Sequence, residues 1–268
     1  VTPFADWKGW HLVAIHGAAT AYRMGHRLER AGGTRSAIGV AAMLAHEIKN
    51  PLSGIRGAAQ LLETRAGEDD VRMTRLIRSE VDRIAGLLDQ MEGFTDTRAR
   101  TAEPDNIHEI IDHARQVAQN GFGRKLRIVE SYDPSLPPVL VHRDSLVQIL
   151  LNLLKNASET AGEGETRTVR LTTAYRQGVS LAADTARRKR SLPIELCVID
   201  DGPGAPPELA EDMFDPFVTT KKSGRGLGLA LADKLMRDMG GIIQYAREGE
   251  PEMTVFRLLL QRAEREIR

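Results

Sequence analysis

The sequence predicts an α+β protein, an antiparallel helical hairpin followed by an α/β sandwich. Three observations carry this expectation. Ile38, Ala41, Ala45, Ile48, Leu52, Ile55, Ala59 and Leu62 recur at alternating spacings of 3 and 4, an unbroken apolar seam of helical period. A second seam, Ile77, Val81, Ile84, Leu88 and Met91, follows after a short turn. Beyond residue 105 the pattern changes to short alternating strands set between helices, closing in a hairpin.

The chain has 268 residues, enough for about two domains. Lys plus Arg is 37 and Asp plus Glu is 37, so the formal charge is zero. That balance argues against a global polyanion binder, and no direct nucleic-acid role is expected. Only 4% of residues are aromatic, so Ala, Leu, Ile and Val must fill the core. Cys197 is the single cysteine, which excludes an intrachain disulfide and a multi-cysteine metal site. It reads as a small buried hydrophobe in a reducing, cytoplasmic compartment. No run of about 18 apolar residues is present, so no membrane span is expected. No secretory signal opens the chain. Residue 1 is Val, and the chain reads as starting inside a longer protein.

Taken in order, residues 1–34 are the tail of a preceding domain plus a connector, with a strand over 10–16, a helix over 18–30 and a break at 31–34. Residues 35–97 are the hairpin, turning at Ala66 to Asp70 with Asp69 or Asp70 as the cap of the second helix. Two helices alone bury one seam each and leave apolar surface over, which predicts a homodimer through a four-helix bundle. Residues 98–105 form a linker. Helices are then expected over 107–120, 143–161 and 227–239, strands over 125–132, 168–175 and 194–200, and a terminal hairpin over 242–246 and 254–260. Residues 176–193, with Arg187, Arg188, Lys189 and Arg190, read as a basic, solvated surface loop. The domains are 1–34, 35–105 and 106–268.

Four short strings carry chemistry. The first is His46-Glu-Ile-Lys-Asn-Pro51. His46 lies one residue past the seam position Ala45 and so flanks the apolar stripe, facing solvent. Pro51 costs a helix interior about 3 kcal/mol and predicts a kink one turn on. A single helical histidine is usually structural, but Glu47 beside it can polarise the imidazole for nucleophilic attack. Asn50, one turn further, can hydrogen-bond a water or phosphate held there. The second string, Gln148 to Asn156, places Asn152 and Asn156 on one helical face beside Lys155. Amide oxygens are hard ligands that suit Mg2+, and a lysine suits phosphate. Two asparagines on the wet side of an amphipathic helix are the plainer reading of that string alone.

The third string is a strand ending at Asp200, followed by Gly202 and Gly204. A strand-end carboxylate can accept from an exocyclic amine such as that of adenine, and the glycines admit close backbone approach. The fourth is Gly224-Arg-Gly-Leu-Gly228 running into a helix, an anion site made of backbone amides. It follows Phe214 to Lys222, so Lys221, Lys222 and Arg225 give a basic loop suited to cover a polyphosphate.

In this order and combination the strings resemble the two-component sensor histidine kinases, over residues 35 to 261. His46-Glu47 is similar to that family's H box, Asn152 to Asn156 to its N box and Asp200 to Gly204 to its G1 box. Phe214 to Phe217 is similar to the F box and Gly224 to Gly228 to the G2 box. The run Ala45 to Gln60 is closest in character to the kinases of nitrogen regulation. The resemblance implies a dimerisation and phosphoacceptor domain followed by a Bergerat-type ATP-binding domain of the gyrase, Hsp90, kinase and MutL (GHKL) superfamily. It implies ATP contacts at Asn152, Lys155, Asn156, Asp200, Gly202, Gly204, Phe217, Thr220, Lys221, Gly224, Gly226, Leu227 and Gly228. Mg2+ would sit at Asn152 and Asn156. His46 would be the phosphoacceptor, Glu47 the base, and Asn50 a support for dephosphorylation. The implied partners are the receiver domain of an NtrC-like response regulator and a PII-type signal protein. Residues 10–30 would be the last strand and exit helix of a PAS-type sensor domain.

Two departures from the family pattern stand out. Gln148 occupies the place where the superfamily's ATP hydrolases carry a glutamate base, which favours transfer to histidine over hydrolysis. Arg225 stands where the family often has a small residue. Two rival readings are an ATP-driven clamp, which needs the hydrolytic glutamate and has no use for His46, and a degenerate dimeric scaffold. All the boxes are populated, against the scaffold.

Overall fold

A computed structural model describes residues 2–3, 11–12, 47–64, 67–95, 101–162, 165–182, 189–221, 224 and 226–263. Thr2–Pro3 (β1) and His11–Leu12 (β2) pair as a two-residue antiparallel ladder. The helix expected over 18–30 and the phosphoacceptor candidate His46 lie outside the described residues.

Helix α1 runs over 47–63 and continues through Pro51, and α2 runs over Glu68–Thr95. They form the expected hairpin around Leu52, Val81 and Leu88, with Ala59 and Thr74 also buried. Glu63, near the turn, accepts from Arg75 Nε at 3.1 Å and from Arg78 Nη1 at 2.6 Å. The two guanidiniums, Arg78 first, hold its carboxyl below the usual range. The expected cap at Asp69 or Asp70 is corrected. The helix starts at Glu68 and Val71 N donates to Gly67 O, so both aspartates lie inside the first turn, at the positive end of the helix dipole.

Among the described residues the hairpin buries only part of its seam, and Ile38, Ala41 and Ala45 lie outside them. Ile55 remains 48% and Ile77 42% exposed, and Ile48, Leu62 and Ile84 are exposed as well. A helix with a 3-4 apolar repeat presents a stripe wider than one antiparallel neighbour covers.

The second half starts with Glu103–Asp105 (β3), Ile107–Asn120 (α3), Leu126–Ser131 (β4), Val139–Val141 (β5) and Arg143–Glu159 (α4). Arg167–Tyr175 (β6), Ser180–Ala182 (β7), Lys189–Ser191 (β8), Ile194–Asp200 (β9), Gly228–Asp238 (α5), Ile242–Glu248 (β10) and Met253–Leu260 (β11) follow. Five strands make one sheet in the order β10-β11-β9-β6-β4, antiparallel throughout except for the parallel pair β4 and β6. On alternate positions Val169, Leu171, Ile194, Leu196 and Val198 meet α3, α4 and α5 in a single core. The other face of β9 buries Glu195 between Arg257 Nε at 2.9 Å and Arg176 Nη2 at 3.1 Å. Cys197 lies on that face, and burial pushes its thiol up to about 11, so it is an inert packing residue as expected.

Two local expectations are corrected. The linker over 98–105 contains β3, which pairs antiparallel with β5. In the insertion over 176–193, expected as a loop, Ser180–Ala182 (β7) and Lys189–Ser191 (β8) pair antiparallel, while Arg187 and Arg188 lie outside the described residues. Leu192 N donates to Val179 O and Arg176 N to Pro193 O along its base. Short strands of this kind carry too few residues for periodicity to register.

Helix ends match expectation closely. Asn106 Oδ1 caps α3 by accepting from His108 N at 3.0 Å, and His142 Nδ1 caps α4 by accepting from Ser145 N at 3.3 Å. Among the described residues no helix is long and apolar enough to cross a membrane. Leu153, 1% exposed between sheet and helices, anchors α4. Leu153→Ala is expected to lower stability by about 2–5 kcal/mol, read as a lower urea midpoint with an unchanged slope.

Candidate active site

A cavity of about 430 Å³ opens between α4, the segment from Val218 to Leu229 and the flank of α2. Its chemistry is set by α4. Leu146, Ile149, Leu150, Leu153 and Leu154 take the core side of that helix. The 3.6-residue repeat then leaves Asn152, Asn156 and Glu159 in a row on the cavity side, with Lys155 beside them. Asn152 Nδ2 donates to Gly228 O at 3.4 Å, tying α4 to the start of α5. That start has no side-chain cap and no acidic residue in its first turn. Its first-turn amides create a region of positive helix-end potential, suited to an anion.

The segment before α5 is shaped by a backbone clasp. Phe217 N donates to Gly226 O at 2.9 Å, and a Cβ at Gly226 would collide with the Phe217 backbone. Gly226 has φ 64 and Phe217 has φ 70, so both turn through the left-handed region, which glycine adopts freely and phenylalanine only under constraint. Lys221, inside the clasp, reaches back to α4. Its Nζ donates to Glu159 Oε2 at 2.6 Å and to Asn156 Oδ1 at 3.2 Å.

Asp200 ends β9 and is 5% exposed. Burial pushes its carboxyl above the usual carboxylate range, against the pull of the Gly202 N–H, which donates to Oδ1 at 2.8 Å. A Cβ on Gly202 would press on Asp200 Oδ1 and Thr160 Oγ1. Arg247 Nη1 donates to Gly202 O at 2.8 Å and to Thr254 Oγ1 at 2.7 Å, pinning the turn from the next strands. Gly204 packs against the Tyr245 hydroxyl, which accepts from Ala205 N at 2.8 Å.

The structure thus brings together on the cavity wall Asn152, Lys155, Asn156, Thr220, Lys221, Gly224, Gly226, Leu227 and Gly228, all expected from sequence. Asp200, Gly202, Gly204 and Phe217 are not on that wall. The turn of the first three delivers Ala205 to it, and Phe217 holds Gly226 through its backbone while its side chain is exposed. Glu47 and Asn50 are exposed on α1. Lys222 and Arg225, like His46, lie outside the described residues. Arg83, Glu159, Met213 and Leu209 also line the cavity and were not expected. Glu159 was findable, since it sits three residues past Asn156 on the same face. Arg83 was not, because it comes from the other half of the chain.

A family model described as histidine kinase-, DNA gyrase B- and HSP90-like ATPase matches residues 141–264, and one described as the His Kinase A (phospho-acceptor) domain matches residues 38–99. The fold and the cavity are therefore those of a histidine kinase, an ATP-binding domain behind a phosphoacceptor hairpin. The chain is 48% identical to the sensory histidine kinase/phosphatase NtrB of Rhizobium meliloti, over 97% of this chain and 68% of the relative. With the NtrB of Rhodobacter capsulatus it is 46% identical, over 99% of this chain and 73% of the relative. In structure it is similar to full-length ShkA in complex with AMPPNP, with a TM-score of 0.66 and 26% identity over 83% of this chain and 46% of that one. The chain belongs to the NtrB family of sensory histidine kinase/phosphatases.

The buried Asp200 yields a prediction of opposite signs. A carboxyl whose folded value is raised contributes stability below its unfolded value and loses that contribution as pH rises through the folded value. At neutral pH its ionised form therefore costs stability. Asp200→Asn is expected to raise the denaturation midpoint at pH 7, and the gain is expected to vanish in acid below the ordinary carboxylate range. If Asp200 accepts a hydrogen bond from the nucleotide, the same substitution weakens ATP binding by about 10- to 150-fold, the loss of a hydrogen bond to a charged group. Thermal denaturation across pH together with equilibrium nucleotide binding checks both.

Proposed function

We propose that this kinase transfers the γ-phosphoryl group of Mg2+–ATP to His46 and then to an aspartate on the receiver domain of an NtrC-like response regulator, which it also dephosphorylates. The observation that carries this reading is the convergence on one cavity of Asn152, Lys155, Asn156 and Lys221 with the uncapped start of α5. Residues 35–105 serve as the dimerisation and phosphoacceptor unit and 106–268 as the ATP-binding unit. The exposed apolar stripe left by Ile55, Ile77 and Ile84 supports a homodimer through that hairpin. A PII-type protein is the proposed controller and the cytoplasm the proposed location.

Asp200 holds the adenine amine in this reading, and the Gly202–Gly204 turn lets the base lie against backbone. Lys155, Lys221 and the α5 amides neutralise the phosphates. The donor set fits Mg2+ that arrives with nucleotide. Asn152 and Asn156 offer neutral amide oxygens, and among the described residues no group of three or more His, Cys, Asp or Glu forms a cage of its own. When bound, the ion draws charge from the β- and γ-phosphate oxygens. The His46 imidazole nitrogen forms the new N–P bond as the bond from the bridging oxygen to the γ-phosphorus breaks, ADP leaves, and Glu47 takes the imidazole proton. Most of the rate comes from positioning and charge neutralisation. Asn50, exposed one turn beyond, orients the water that later attacks the phosphorylated regulator.

Incubation with γ-labelled ATP tests the reading directly. Acid-labile label is expected on the chain and none on His46→Gln; label persisting on that variant would refute it. Asn152→Asp is expected to block labelling with an unchanged circular dichroism spectrum. Asn50→Ala is expected to reduce regulator dephosphorylation on the order of 100-fold, the effect of a misplaced reactant, while labelling of the chain stays near normal.

A further inference from the structure

One contact in the cavity has no part in the phosphoryl transfer described above. The Lys221 ammonium sits 2.6 Å from Glu159 Oε2 and 3.2 Å from Asn156 Oδ1. Glu159 is the last residue of α4, one turn past Asn156, and both side chains line the cavity. The two partners hold the ammonium from the same helix. Asn156 Oδ1 is also the oxygen through which a cation carried by nucleotide would be bound, a point that rests on the nucleotide-site reading. An ammonium and a magnesium ion have the same requirement there, a hard, neutral oxygen at close range.

They cannot share it. Two cations on one amide oxygen would lie within a few ångströms of each other, where like charges repel strongly in a partly enclosed site. Lys221 must therefore leave Asn156 Oδ1 before Mg2+ takes it. What retains Lys221 is the ion pair with Glu159, whose side chain is 41% exposed while that of Lys221 is 31% exposed. A pair of that exposure is weak enough to be broken by a nucleotide and strong enough to bias the competition.

We propose that Glu159 is a positioning residue that holds the Lys221 ammonium on Asn156 Oδ1 as a stand-in cation, so that Mg2+–ATP binds by displacing it. The released ammonium is then free to meet the phosphates that displaced it, which couples binding of the metal to recruitment of the lysine. Glu159 sets how much Mg2+ is needed before nucleotide binds. It touches neither substrate nor metal and acts only through Lys221.

The test is a Mg2+ titration of the binding of a fluorescent ATP analogue to the whole chain. Four forms are compared: unaltered, Glu159→Gln, Lys221→Met and the double variant. Glu159→Gln is expected to lower the Mg2+ midpoint about 2- to 5-fold, the range for loss of one exposed ion pair. In the Lys221→Met background, adding Glu159→Gln is expected to leave the midpoint where it was. An equal shift in both backgrounds would show a plain charge effect on the metal and overturn the proposal. No shift, or a shift to higher Mg2+, overturns it as well. If the unaltered chain binds no analogue at any Mg2+ concentration, the nucleotide-site reading falls, and this inference with it. That result is distinct from binding with an unresponsive Glu159.

Discussion

Helix α4 must bury one face and keep the other polar, and the ATP-binding half is organised around that division. Its core side carries five leucines and isoleucines, each contributing about 1.5–3 kcal/mol when fully buried. Its cavity side carries Asn152, Lys155, Asn156 and Glu159. On a helix successive residues turn by about 100°, so a slip of a single position in the seating of α4 would carry Asn152 to the buried place of Leu153, and a slip the other way would carry Leu153 to the cavity place of Asn152. An amide buried without partners costs about 1–3 kcal/mol, and the displaced leucine loses a comparable amount. Hydrophobic packing, which has no direction of its own, thereby fixes the direction of the polar groups that α4 brings to the cavity.

The corner at the end of β9 works in the opposite way, spending stability to keep a charge. Asp200 has apolar neighbours on its strand and sits above the ordinary carboxylate range because burial disfavours its ionised form. The Gly202 N–H and the more distant Arg247 and Arg167 offset part of that cost. Arg247 also fixes the carbonyl of Gly202, so one guanidinium supports the turn from behind while the turn supports the carboxylate from in front. A group held in this way is pre-oriented, and a ligand that hydrogen-bonds it does not have to order it first.

Much of this was legible in the sequence. The limits of α3 and β9 coincide with the expected ones, because their periods are clean and Asn106 supplies a cap. The polar row on α4 was visible from the spacing of Asn152 and Asn156. The glycines around the cavity were visible as a string, although only the fold shows that Gly226 is required by the Phe217 backbone pressed against it. What escaped was non-local. β3 pairs with β5 across more than thirty residues, and three-residue strands leave no periodic trace. Arg83 reaches a cavity whose other walls begin at residue 152, and nothing near it in the sequence marks it. The hairpin seam was legible as a pattern but not in its use. Leu52 and Val81 meet each other, whereas Ile55 and Ile77 follow the same rule and remain exposed.

The buried and lining residues of α2 divide between two flanks. Helix α2 has Val81 and Leu88 in the hairpin seam and Arg83 on the cavity wall. Two residues separate Val81 from Arg83, a rotation of about 200°, so the seam and the cavity lie on nearly opposite flanks of one helix. A helix is stiff over this length, and its flanks turn together. Any change in the hairpin that rotates α2 against α1 therefore moves Arg83 against the residues from α4 and α5 that form the rest of the cavity. Among the described elements, α2 is the one that carries residues of the hairpin seam on one flank and a cavity-lining cation on the other.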